Sequence, residues 1–223
     1  MFFDADMATT PQSRLELEQE LRIAVRDETF YTVYQPIVEL ATMLIVAVEA
    51  LARWPRPVGQ QIGPDEFIPV LEDTRLILPM GRMILARACR DGAHWHRLGH
   101  PVNISVNVSA LQPESDDFMT DIPLILTETG LPANALIIEI TESALIKDPE
   151  RGAQQLRSLR TLGVKVSIDD SRTGYSSLDQ GEALIATLIG IAQTLSIHTL
   201  AEGIETRAQL AHLAAQSCEF GQG

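Results

Sequence analysis

Leu136-Ile137-Ile138-Glu139 is a short, β-prone apolar run that ends on a carboxylate. The same device recurs four more times. Leu44 to Val48 ends at Glu49, Val102 to Val106 at Asn107, Val164 to Ile168 at Asp169, and Ile197 to Ala201 at Glu202. Strands that bury themselves and present an oxygen ligand at their last residue are the sequence image of a β/α barrel, whose chemistry sits at the C-terminal ends of parallel strands. Four carboxylates and one amide, with no His or Cys at the same positions, form a hard donor set. Such a set selects Mg²⁺ or Mn²⁺ over Zn²⁺ or Cu²⁺. Clustered carboxylates without a cation would repel one another. The adjacent Asp170 is placed to reach a second cation, and paired metals are a common device for phosphodiester cleavage.

Outward from these runs, strand-like segments at 30–38, 44–51, 102–108, 136–140, 164–169 and 196–201 alternate with helical patterns. Those lie near 64–72, 79–98, 116–129, 149–162, 181–195 and 206–216. The alternation predicts a parallel sheet. A doubly wound sheet is the rival, but no GxGxxG or Walker-type loop follows an early strand. The barrel is therefore the expected fold. Ser13 to Asp27 reads as an amphipathic helix with a Ser13/Glu16 capping box and a stripe of Leu17, Leu21, Ala24 and Val25. It is expected to be a linker or docking helix within a 1–28 region ahead of a 29–223 domain, or else the first helix of that domain. Setting those 28 residues aside leaves 195 of 223, at the short end of the roughly 200–400 typical of such barrels. With six strand candidates and a stub at Cys218-Glu219-Phe220, the barrel is expected to be incomplete.

Composition limits function. A net charge of -13 argues against a nucleic-acid polymer as partner. A small phosphorylated substrate stays open, because bound divalent cations reverse the local field. Two cysteines make no disulfide framework, no stretch reaches membrane-span length, and the start is not signal-like; a cytoplasmic location is expected. His94 and His96, two apart on a helix, face different sides and are expected to be surface or packing residues. Alternation is taken to point Lys165 away from the neighbours that carry the rim acids, in a structural role. The helix Glu182 to Leu195 is apolar nearly all round and is expected to be buried or to form an oligomer face, which makes a homodimer one expectation.

The ordered motifs resemble the EAL family of cyclic di-GMP phosphodiesterases, whose name-giving tripeptide is here Glu49-Ala50-Leu51. The match also includes Tyr34-Gln35-Pro36-Ile37, Arg53-Trp54, Pro64 to Pro69, Ser105-Val106-Asn107, Glu139 to Glu142, Asp169-Asp170, Thr173 to Ser177 and Ala201 to Thr206. The resemblance implies a TIM-like barrel that opens one phosphodiester of cyclic di-GMP with Mg²⁺ or Mn²⁺. It implies that Glu49, Asn107, Glu139, Asp169 and Asp170 are metal ligands and that Glu202 is a candidate base. Glu142 would steady the loop after Asp169-Asp170. Gln35, Leu51, Arg53, Glu205 and Gln222 would contact the dinucleotide, Arg53 through phosphate. The opening residues resemble the linker that follows a GGDEF cyclase domain, so an upstream GGDEF or sensor domain is an expected partner.

The departures are specific. Ser171 and Arg172 stand where the family has Phe and Gly, removing an aromatic anchor and a backbone freedom. After Ser177-Leu178 the chain runs within a few residues into the helix at Glu182, so the family's next strand, which carries a Lys-Ile-Asp motif, has no counterpart. The chain also stops before the family's last segment. Three readings follow: a phosphodiesterase with impaired turnover, a non-catalytic cyclic di-GMP receptor or regulatory module, and a degraded fragment.

Overall fold

The computed structural model describes residues 11–56, 61–115, 117–141, 149–169, 200–201 and 220–221. Among the described residues the strands form one seven-stranded sheet. In chain order they are β1 (Tyr31–Glu39), β2 (Ile45–Arg53), β3 (Asn103–Val108), β4 (Leu136–Thr141), β5 (Lys165–Asp169), β6 (Leu200–Ala201) and β7 (Phe220–Gly221). Their spatial order is β5-β4-β3-β2-β1-β7-β6. Strands β2 to β5 are mutually parallel, as the alternation predicts. β1 departs from that pattern and runs antiparallel to both β2 and β7. The link from Glu39 to Ile45 is too short for a crossover, so a hairpin is the only pairing open to it.

The helices are α1 (Pro11–Arg26), α2 (Pro64–Asp73), α3 (Ile77–Arg97), α4 (Leu111–Glu114), α5 (Phe118–Thr129) and α6 (Pro149–Thr161). They cover the outer face of the sheet, giving a TIM-like arrangement. The helical patterns expected at 181–195 and 206–216 lie outside the described residues, as do Ser171 and Arg172. The expected stub at 218–220 meets β7 at Phe220, and its first two residues lie outside the described residues.

Alternation sorts each parallel strand into two faces. Ile104, Val106 and Val108 of β3 and Leu136, Ile138 and Ile140 of β4 are buried beneath the helices. Helix α3 lies so close to β3 that a Cβ on Gly92 would meet Ile104 Cγ1 at 2.4 Å. The opposite face carries Ser105, Asn107, Glu139 and Ser167.

α1 is joined to the same core. Leu17, Leu21 and Ala24 are buried together with Phe30, Trp54 and Phe67. Phe30 stacks on Trp54 at 6.1 Å between ring centroids, and Phe67 closes the cluster edge-on to Trp54 at 6.3 Å. β1 is tied to α3 from the outside. Tyr34 donates its hydroxyl to Asp91 at 2.5 Å, accepts from Thr32 at 3.1 Å, and meets the Trp95 ring edge-on. Burial together with the Asp91 carboxylate pushes the Tyr34 phenol well above its usual range.

Candidate functional site

The strand register decides which side chains share a face. Gln35 of β1 lies opposite Glu49 of β2, and Glu49 pairs with Ser105 of β3. Asn107 pairs with Glu139 of β4, Glu139 with Ser167 of β5, and Thr141 with Asp169. With a side-chain period of two, Gln35, Glu49, Leu51, Arg53, Ser105, Asn107, Glu139, Ser167 and Asp169 all occupy positions on one face. It is the face turned away from the helices.

The oxygen-bearing positions do not sit at one register level. Relative to Glu49, the register advances two residues to Asn107, none further to Glu139, and two more to Asp169. A barrel's strands are tilted and staggered in this sense, so a diagonal climb across the sheet becomes a constant height along the barrel axis. The four strands span about 14 Å at the usual spacing of about 4.8 Å.

Side-chain contacts follow the same diagonal. Asn107 donates its amide N–H to Glu49 Oε1 at 2.5 Å, which leaves Asn107 Oδ1 as an acceptor facing the same side. Ser105 donates its hydroxyl to Glu139 Oε1 at 2.6 Å. Glu49 and Glu139 are 5% and 2% exposed, an unusual depth for carboxylates in a chain of net charge -13. Buried charge is tolerated where it is paired, hydrogen-bonded or bound to metal.

At the β1–β2 pair, Gln35, Leu51 and Arg53 are each half-buried. Arg53 Nη1 donates to the Ala52 carbonyl at 2.9 Å, a contact that a phosphate oxygen would readily replace.

The structure thus brings together Gln35, Glu49, Leu51, Arg53, Asn107 and Glu139, and the backbone position of Asp169. The Asp169 side chain, and Glu142, Asp170, Glu202, Glu205 and Gln222 altogether, lie outside the described residues. Asp170 directly follows β5, and Glu202 directly follows β6. Among the described residues no three His, Cys, Asp or Glu side chains converge as a metal group. The expected set draws on an asparagine, which is not of those types, and on the residues just named.

Lys165 corrects its expected orientation. Its register partner is Ile137, two residues before Glu139, so it occupies the acid-bearing face at the far end of β5. There its Nζ donates to Asn103 Oδ1 at 3.2 Å, and Asn103 in turn donates to the Val46 carbonyl at 2.9 Å. This is a structural tie across β5, β3 and β2, two residues or about 7 Å along the strands before Glu49 and Glu139 and about 13 Å before Asp169. The histidines are as expected: His94 is exposed, and His96 Nε2 lies 2.8 Å from the Val102 carbonyl.

Sequence reasoning missed Ser105 as the hydrogen-bond partner of Glu139 and Ser167 as its register neighbour. Both sit two residues before a predicted ligand, and the strand period alone would have placed them on its face.

The description "EAL domain" matches residues 18–184 of the chain. Two relatives from Pseudomonas aeruginosa align over the whole chain. They are the cyclic di-GMP phosphodiesterase NbdA, 35% identical, and the bifunctional diguanylate cyclase/cyclic di-GMP phosphodiesterase MucR, 34% identical. The chain spans only about a third of their length, 32% and 36%. A solved structure, the MucR phosphodiesterase in complex with c-di-GMP, superposes with a TM-score of 0.85. It is 33% identical, and the match covers 93% of this chain and 94% of that one. Both relatives' alignments extend over 247 residues, 24 more than the chain contains, so the relatives hold internal residues with no counterpart here. The family match stops at 184, just past the interval between Leu178 and Glu182.

Proposed function

Because the chain belongs to the EAL domain family, we propose that it is a cyclic di-GMP phosphodiesterase domain of weakened turnover. It would hydrolyse one phosphodiester to give the linear dinucleotide. The observation that carries this reading is the single polar face on which Glu49, Asn107 and Glu139 meet across three adjacent parallel strands, with Asp169 next in register.

The donor set fits a divalent cation. It is made of oxygens, two of its carboxylates are buried, and Asn107 keeps its amide oxygen while its N–H is engaged by Glu49. Glu49, Asn107, Glu139 and Asp169 would hold Mg²⁺ or Mn²⁺, and Asp170 a second ion. Such ions, when bound, polarise a phosphoryl oxygen and favour attack by water. The chain's own part is positional. Ser105 holds Glu139 and Asn107 holds Glu49; Arg53 would exchange its carbonyl for a phosphate oxygen, and Gln35 and Leu51 would line the dinucleotide beside it. Glu205 and Gln222 would complete that contact, Glu202 would serve as base, and Glu142 would steady the loop beyond β5.

A second reading, a receptor that binds cyclic di-GMP without cleaving it, is favoured by one observation. The relatives carry at least 24 internal residues that this chain lacks. A cytoplasmic location, a homodimer and an upstream GGDEF or sensor domain belong to the same proposal. The upstream domain is supported by MucR, which is named as a cyclase as well as a phosphodiesterase, and no helix among the described residues is long and apolar enough to cross a membrane.

Incubation with cyclic di-GMP and Mg²⁺ or Mn²⁺, with linear product followed beside equilibrium binding, tests both readings. Slow product formation abolished by Glu49→Ala supports the enzyme. Binding without product supports the receptor, and loss of both rejects the site.

A further inference from the structure

α1 is joined to the body of the protein by two ion pairs of different kinds. Arg14 pairs with Asp73 of α2 on the open surface, with both side chains more than half exposed. Glu20 instead grips Arg56, three residues past Arg53, through a two-pronged contact. Arg56 Nε lies 2.7 Å from Glu20 Oε2, and Nη2 lies 3.2 Å from Oε1. The Arg56 side chain is 21% exposed, and its guanidinium lies 6.0 Å from the Trp54 ring centroid. Paired, forked Arg–carboxylate contacts fix direction as well as distance.

Both ends of this fork are anchored. Glu20 stands on a helix whose Leu17, Leu21 and Ala24 are buried, and Trp54 is locked between Phe30 and Phe67. Arg53 directly precedes Trp54 and is the last residue of β2. The backbone that aims Arg53 is therefore held on one side by the β1 hairpin, where it pairs with Tyr31, and on the other by the Trp54–Arg56–Glu20 chain.

We propose that Glu20 and Arg56 are positioning residues for Arg53, which makes α1 a working part of the dinucleotide site as well as a packing element. This rests on the phosphate-contacting role given to Arg53 above. Arg56 acts through the chain direction at Trp54 and touches no substrate. A shift of α1 along its axis moves Glu20, and the fork passes that movement to Arg53.

The test uses the full chain and four variants: Arg56→Met, Arg56→Lys, the charge swap of Glu20→Arg with Arg56→Glu, and Arg14→Gln as a control on the same helix. Loss of a partner that orients a ligand-contacting group costs about tenfold in affinity. Arg56→Met is expected to raise the Kd for cyclic di-GMP by about that factor. Arg56→Lys keeps the charge but loses the fork, and is expected to recover little. The swap is expected to recover most of the loss, and Arg14→Gln to change nothing. Amide hydrogen exchange without ligand is read in parallel, and Arg56→Met is expected to speed it at Ala52 to Trp54 while leaving β3 and β4 unchanged. Equal effects of Arg56→Met and Arg14→Gln, or faster exchange spread evenly over the sheet, overturn the proposal. A wild-type chain that binds no cyclic di-GMP rejects the reading of Arg53, and the exchange pattern then decides whether the fork orders the end of β2.

Discussion

Glu139 and Ser105 show how one residue's environment sets its chemistry. The serine hydroxyl gives a buried carboxylate a donor from the neighbouring strand, fixing the oxygen on the face where Asn107 and Glu49 also meet. Ser105→Ala removes that donor without changing the backbone. It is expected to lower stability by about 1–3 kcal/mol, read by urea unfolding, and to weaken Mn²⁺ binding about tenfold, read by calorimetry. Cys89 is a different kind of residue. Fully buried on α3, its thiol is pushed by burial from 9.0 up to about 12. The folded form thus holds its proton longer than the unfolded form. The associated stability is complete below pH 9 and is lost as pH rises towards 12. With Cys218 replaced by serine, Cys89 is expected to react with a thiol reagent only as fast as the protein opens, at a rate that tracks global unfolding. At this scale the oxygen-bearing residues proposed as ligands were legible because each ends an apolar run. The strands run on past Glu49, Asn107 and Glu139, and Ser105, which bonds Glu139, was not marked by any run end although residue i−2 shares the face of Asn107.

At the scale of elements, the helix-over-strand packing is set by small residues that no motif announces. Gly92→Ala places a Cβ 2.4 Å from Ile104 Cγ1 and 3.2 Å from Leu131 Cδ1. It is expected to cost about 1–3 kcal/mol in thermal unfolding, with partial relief from the added change Ile104→Val. Periodicity located β1 to β5 and helices α2, α3, α5 and α6 to within a few residues, because their apolar stripes are regular. It did not show that β1 runs antiparallel, which follows from the length of the link at 40–44 rather than from any stripe. Nor could it decide what α1 packs against. The apolar stripe of Leu17 and Leu21 predicts a covered face, and only the fold shows that Phe30 and Trp54 cover it.

Across the whole molecule, four of the five apolar runs that end on an oxygen-bearing residue become the adjacent parallel strands β2 to β5, whose register climbs as a barrel's must, and the fifth enters the sheet as β6 beside β7. That climb could not be read along the chain, since it depends on how each strand is paired with the next. The shortfall of length was legible, and it reappears as 24 residues that the relatives possess and this chain does not. If that interval limits turnover, inserting the matching segment of NbdA between Leu178 and Glu182 is expected to raise the rate of linear product at least tenfold, with little change in Kd. The account's central claim is that the polar face formed by β2 to β5 binds cyclic di-GMP through divalent metal. Equilibrium dialysis of cyclic di-GMP against the wild-type chain and Glu49→Gln, each with Mn²⁺ and with EDTA, tests it most directly. The account predicts binding by the wild-type chain that falls at least tenfold in EDTA, and no metal-dependent gain in the variant. Equal binding in all four conditions would contradict it.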